Sequence, residues 1–258
     1  SYEITNVFAG TQTVNSMIGM FLILLGILLF VIGGVATFSN PIFTRIIFIG
    51  IFSFLMGTWS IITNCVSQIY SMERVRNTSL DYVALYFAPS VFGSIMWIMR
   101  KDDKTWRKIV ISVSTLTLGI FAIAATVLHI HNIVRLPSFL PYYHVLGLVA
   151  IVALAYAVFL SVSDKDYSES VTALAVILLI GLLGFDIVRF NIQKYILMGS
   201  QLLACSIVPI AALSFVILLI VSYLIQLYEL VMTKAEREAL TELAYRDILT
   251  GSYNRAKF

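Results

Sequence analysis

The stretch SMIGMFLILLGILLFVIGGVATF, Ser16 to Phe38, contains no charged residue. About 20 apolar residues carry an α-helix across the hydrocarbon of a bilayer, so this run reads as a membrane-spanning helix. Six further runs of spanning length follow: Ile46 to Ile69, Asp81 to Met99, Ile109 to Ile130, Val145 to Ser163, Val171 to Phe190, and Ile196 to about Leu227. Backbone groups in lipid must bond within their own segment, and these runs lack the alternation of a membrane β-barrel. The expected fold is an all-α membrane protein, a seven-transmembrane helix bundle. Composition agrees, since 60% of the 258 residues are hydrophobic and only 12% are charged, with a mean hydropathy of +0.95. That is about half the charge of a soluble domain, which excludes a water-soluble globule. A formal net charge of +3 is too small to argue for nucleic acid, so the bilayer is the expected partner.

Lys and Arg in short loops are retained on the cytoplasmic side, and here they are distributed unevenly. Twelve fall on one face: Arg45, the cluster from Arg100 to Lys108, Lys165, and five in the C-terminal tail, from Lys234 to Lys257. Five fall on the other: Arg74, Arg76, Arg135, Arg189 and Lys194. This places the N-terminus outside and the C-terminus inside. Residue 1 is Ser, with no basic region and cleavable apolar stretch behind it, so the chain is expected to be excised from a longer one. Residues 1–15 then form an extracytoplasmic lead-in, and 16–227 the seven-transmembrane domain.

Helix-forming sequence does not stop with the seventh span. It continues through residues 228–246, and between Pro209 and Gly251 no Gly or Pro interrupts it. Counted from Ile196, about 50 residues would make a rod of roughly 75 Å, half of it beyond the bilayer. The stripe Leu230, Leu240 and Ala244 is heptad-like but broken by Arg237. Beyond it stands DILTGSYNRAKF, Asp247 to Phe258, in which Gly251 suits a left-handed helix C-cap while Asp247 and Asn254 suit bonds to freed backbone groups.

Asp247, Leu249, Thr250, Gly251, Asn254, Arg255 and Phe258, preceded by Leu240, Leu243 and Ala244, resemble the opening of GGDEF domains, the diguanylate cyclase module. Ala256 stands where that pattern usually has a second Arg. The resemblance covers Leu240 to Phe258, and implies that 228–246 is a cytoplasmic signalling helix and 247–258 the truncated start of a GGDEF domain. It also implies a homodimer through the C-terminal helix and a place in a bacterial inner membrane. GTP and Mg²⁺ would belong to the missing remainder of that domain, so this fragment has no catalytic residues and needs no cofactor of its own. The stretches IFIGIFSFLMGTWSI and GFDIVRF are similar to seven-transmembrane receptors with diverse intracellular signalling modules, which often precede GGDEF domains.

Ionisable residues inside a span are the default functional candidates. Asp186 and Arg189 lie three apart in the sixth run, on one helical face, where they pair. Other polar groups share their depth: Asn64 and Gln68, then Asp81, Tyr82 and Tyr86, then His129, then Gln201. Tyr82 and Tyr86, four apart, share a face of the third helix. Together these are the candidate lining of an outer pocket for an unknown small molecule or lipid, although an interfacial polar and aromatic belt would give much the same set. His129 and His131 point about 200° apart on a continuing helix, so they do not chelate one ion, and no metal site is expected. His129, His131 and His144 are possible pH sensors. Pro89 and Pro209 interrupt their spans, and a kink at Pro209 would turn an outer change into movement of the rod.

The function expected is a transmembrane sensory domain that relays an extracytoplasmic or membrane-borne signal through the seventh helix to a cyclase making cyclic di-GMP. The alternative is a transporter or channel with a regulatory tail, for which polar groups should thread the full membrane depth. A retinal-type photoreceptor is excluded because every Lys lies outside the spans, and no H-E-x-x-H or G-x-S-x-G marks a hydrolase.

Overall fold

The computed structural model describes residues 2–39, 43–63, 74–99, 105–159, 167–195 and 206–245. The described residues form seven helices, each with a segment long and apolar enough to cross a membrane. In chain order they are α1 (Tyr2–Ser39), α2 (Thr44–Thr63), α3 (Arg74–Met99), α4 (Thr105–Ile130), α5 (Leu140–Phe159), α6 (Tyr167–Tyr195) and α7 (Val208–Tyr245). Each packs on its neighbour in sequence, and α7 also touches α1 and α2. The chain is a multi-pass membrane protein with an all-α seven-helix fold. Its outward side chains suit lipid rather than water: Leu24 is 67% exposed, Ile120 66% and Val149 65%. We call the end bearing the start of α1 and the α2–α3, α4–α5 and α6–α7 connections the N-terminal face.

Lipid tails are as apolar as leucine, so helices in a membrane associate chiefly by close packing and hydrogen bonds. α1 and α2 show this directly. Gly19 and Gly26 lie opposite Gly57 and Gly50 in antiparallel register, and a Cβ built on Gly57 would come within 2.6 Å of the Gly19 carbonyl oxygen. On Gly26 it would come within 2.7 Å of the Phe54 nitrogen. The backbones touch, which lets short side chains bond across: Ser53 Oγ donates to the Leu22 carbonyl at 2.7 Å and Ser60 Oγ to that of Asn15 at 2.9 Å. The centre of the bundle is filled by three rings, Phe52 of α2, Phe92 of α3 and Phe215 of α7, with centroids 5.2 to 6.5 Å apart. Towards the opposite face, the buried hydroxyls of Thr172 and Ser222 bond to each other and both donate to the Ser168 carbonyl, tying α6 to α7.

Several boundaries depart from the expected ones. α4 ends in a turn with Asn132 in the left-handed region (φ 58°), where the Ile133 N–H reaches back to the Leu128 carbonyl at 3.0 Å. His131 therefore stands in a turn, and the expected angle between it and His129 on one helix does not apply. A 3₁₀ turn, Leu136–Phe139, then starts α5 at Leu140, five residues ahead of the expected Val145. The largest correction concerns α7. It was expected to begin near Ile196, with Pro209 as an internal kink, but residues 206 and 207 are not helical and Pro209 occupies the first turn. A proline there breaks nothing, because the first N–H groups of a helix have no partner within it. Among the described residues the rod is 38 residues, about 57 Å, where about 75 Å was expected from Ile196 onward. About 20 of those residues suffice to cross hydrocarbon. Beyond them, every residue from Tyr228 to Thr241 is exposed.

Candidate ligand cavity

Near the N-terminal face, α2, α3, α5 and α6 stand apart around a cavity of about 270 Å³. Helical spacing selects its walls. α2 contributes Phe52, Met56, Trp59 and Thr63, which recur at three- and four-residue steps along one face. α3 contributes Asp81, Tyr82, Leu85 and Pro89 by the same rule. α5 supplies Tyr143, His144 and Gly147, while α6 supplies Leu183, Asp186 and Phe190. Most of this surface is carbon. The polar atoms converge at one end, where the Thr63 hydroxyl donates to Asp81 Oδ1 at 2.9 Å.

Pro89 explains how α5 is held off from α3. A proline lacks the N–H that would bond the carbonyl four residues earlier, here that of Leu85. The Tyr143 hydroxyl donates to that carbonyl at 3.0 Å. Tyr86 acts similarly nearby, donating to the Leu136 carbonyl at 2.9 Å with its ring 4.9 Å from that of Tyr143. Both rings belong to a cluster with Tyr82, Phe121 and Phe139, which sets the distance between the helices. On the far side of α5, His144 Nδ1 lies 3.4 Å from Asn191 Oδ1 and 3.3 Å from its Nδ2, fastening α5 to α6.

Asp186 joins the cavity to α7. Arg189 Nη2 is 2.8 Å from Asp186 Oδ1, and the pair is largely sheltered, with side chains 12% and 13% exposed. The same carboxylate accepts from Ser206 Oγ at 3.2 Å and from the Ile207 backbone N–H at 3.3 Å. Ser206 Oγ in turn accepts from the Val208 N–H at 3.2 Å. The amides at the entry to α7 are thus satisfied, that of Ile207 just ahead of the helix by Asp186 from α6 and that of Val208 by Ser206, and the helix dipole favours the negative charge there. Asn15 of α1 completes the knot, donating from Nδ2 to the Ser206 carbonyl at 3.1 Å. Below this capped end, α7 is fully buried at Phe215 and Leu219 before it leaves the bundle.

The expected site residues divide into three groups. Tyr82 and Asp186 line the cavity, with Arg189 behind Asp186. Tyr86 and His129 do not line it: Tyr86 is wholly buried in the aromatic cluster, and His129 Nε2 lies 3.0 Å from Ser79 Oγ. Asn64, Gln68 and Gln201 lie outside the described residues, as do Cys65, Cys205, Asp247, Leu249, Thr250, Gly251, Asn254 and Arg255. Trp59, Thr63, Tyr143 and Phe190 were not expected. The signal for Tyr143 was present in Pro89, whose freed carbonyl required a donor. No protein-family model, curated protein or solved structure matches the chain.

Proposed function

We propose that the chain is a sensory transmembrane domain whose occupied cavity alters the hold of Asp186 on α7, and that α7 passes this change to a cytoplasmic GGDEF diguanylate cyclase. The observation that carries the proposal is the double role of Asp186, which faces the cavity and also caps the helix that leaves the bundle. A ligand that competes for this carboxylate costs α7 a charge-assisted cap, and a ligand that orders it strengthens the cap. Either shifts the balance between two settings of α7 by the ligand's differential affinity for them. The exposed apolar residues of the protruding segment, Tyr228 at 65% and Leu240 at 66% among them, support pairing with a second copy along the signalling helix.

The direction rests on the positive-inside count, with the cavity outside and residues 228–246 in the cytoplasm of a bacterial inner membrane. GTP and Mg²⁺ would be held by the cyclase module and by none of the residues described above. The converging polar groups stand at one end of the cavity with the Phe52, Phe92 and Phe215 rings at the bundle centre, an arrangement that favours a receptor over a conduit. The test is cyclic di-GMP formation from GTP by the full-length gene product in liposomes. An Asp186→Asn change should alter the rate several-fold at equal amounts of protein in the membrane. Equal rates in the membrane protein, or no cyclase activity in any form, would contradict the proposal.

A further inference from the structure

The walls of the cavity carry a specific charge pattern. Two carboxylates, Asp81 and Asp186, face it, and among the described residues no Lys or Arg lines it. Asp186 is matched by Arg189 and by the start of α7. Asp81 differs: among the described residues it has the Thr63 hydroxyl as hydrogen-bond partner and no cation. Around it the surface is aromatic, with Trp59 and Tyr82 close in sequence to Thr63 and Asp81, and with Tyr143 and Phe190 on the facing helices. The hydroxyl of Tyr143 is engaged with the Leu85 carbonyl, so its contribution to the cavity is the ring.

A carboxylate with no cation beside it among the described residues attracts one, and aromatic faces add to that attraction while accepting an apolar body. An anion would meet like charge, and a neutral apolar molecule would leave the carboxylate unmatched. A volume of about 270 Å³ equals that of about nine liquid waters, which sets the size of the occupant. We infer that the cavity binds a small organic monocation, an ammonium group on an apolar or aromatic body of about nine non-hydrogen atoms, with the charge on Asp81 and the body between the rings of Trp59, Tyr82 and Tyr143. The inference rests on the proposed sensory role only in naming its ligand; the charge pattern is independent of what lies beyond α7.

The test uses the whole chain in nanodiscs of zwitterionic lipid, with Trp97→Phe and Trp106→Phe leaving Trp59 as the sole indole reporter. Phenethylammonium is titrated against the equally sized neutral 2-phenylethanol and the anion phenylacetate. The cation should quench or shift Trp59 emission at concentrations at least about tenfold below those needed for the alcohol, and phenylacetate should be weakest. Asp81→Asn preserves shape and the bond from Thr63; it should weaken the cation by about 30-fold and leave the alcohol within about threefold. Retained binding of the alcohol shows that the variant is folded, and Asp81→Glu should keep the preference for the cation. Equal affinity for cation and alcohol in the unaltered chain, tighter binding of phenylacetate, no binding of any probe, or an Asp81→Asn variant with undiminished affinity for the cation would each overturn the inference. If the cation binds but neither α7 nor the cyclase responds, the sensory reading fails and the ligand class stands. If Asp186→Asn shifts the cyclase while the cavity rejects the cation, the reverse holds.

Discussion

The α1–α2 seam and the α3–α5 gap solve the same problem in opposite ways. Both use a side-chain hydroxyl to bind a backbone carbonyl of a neighbouring helix, Ser53 to Leu22 in the seam and Tyr143 to Leu85 across the gap. A serine reaches its carbonyl only where backbones touch, and Gly19, Gly26, Gly50 and Gly57 make that contact possible. A tyrosine reaches its carbonyl across the width of a ring, and the helices it joins are held apart. One flank is therefore solid and the other encloses a cavity, with α2 common to both. The lesson is that residue size at the crossing, rather than the number of polar bonds, decides which flank of the bundle can receive a ligand.

Filling the seam should have the largest effect. Gly57→Ala places a methyl group 2.6 Å from a backbone oxygen that cannot rotate away, and should lower stability by about 3 kcal/mol, read as the midpoint of thermal unfolding in detergent. Gly34→Ala, with nothing within 4 Å of the new methyl, should stay within about 0.5 kcal/mol of the unaltered chain. Breaking the link between the cavity and α7 comes next. Asp186→Asn removes the charge that matches Arg189 and holds Ile207, and should cost about 2 kcal/mol, discounted from a fully buried pair because some solvent reaches it. Tyr143→Phe leaves the Leu85 carbonyl without the donor that Pro89 also denies it, for about 1 to 2 kcal/mol. This variant should loosen the gap and leave the seam unaffected, which amide exchange of α3 and α5 against that of α1 and α2 would show. The smallest effect belongs to the protruding helix, where Lys234 and Glu238 are 3.9 Å apart and more than 70% exposed. Lys234→Ala should leave the melting midpoint unchanged within error.

The seven spans were legible because lipid forces long uninterrupted apolar runs, and a run such as Ser16 to Phe38 admits no other reading. The start of α7 was not, because residues 196–207 are apolar enough to extend the run, so hydropathy does not mark the boundary at which Asp186 bonds the Ile207 amide. Asp186 and Arg189 were found from their spacing, since a pair three apart is a local property of a helix. Tyr86 was misplaced into the lining because a shared helical face does not say how deep a ring sits, and a ring one turn further along the helix meets α4 and α5 rather than the cavity. The seam could have been read from Gly19, Gly26 and Gly33 recurring every seven residues, with Gly50 and Gly57 matching on the next run. His144 and Asn191 come together only through the packing of α5 on α6, which no local pattern announces.

The central claim is that Asp186 couples the cavity to the protruding end of α7. It is tested most directly by electron spin distance measurement between labels at Thr105→Cys and Leu240→Cys, on a Cys65→Ser, Cys205→Ser background in nanodiscs. Thr105 starts α4 on the face where α7 emerges, and both positions are exposed. Asp186→Asn should move or broaden the distance distribution by about 2 Å or more, the scale of helix shifts in switching bundles. A distribution identical to that of the unaltered chain would mean that the start of α7 is capped without consequence at its far end, and would contradict the relay.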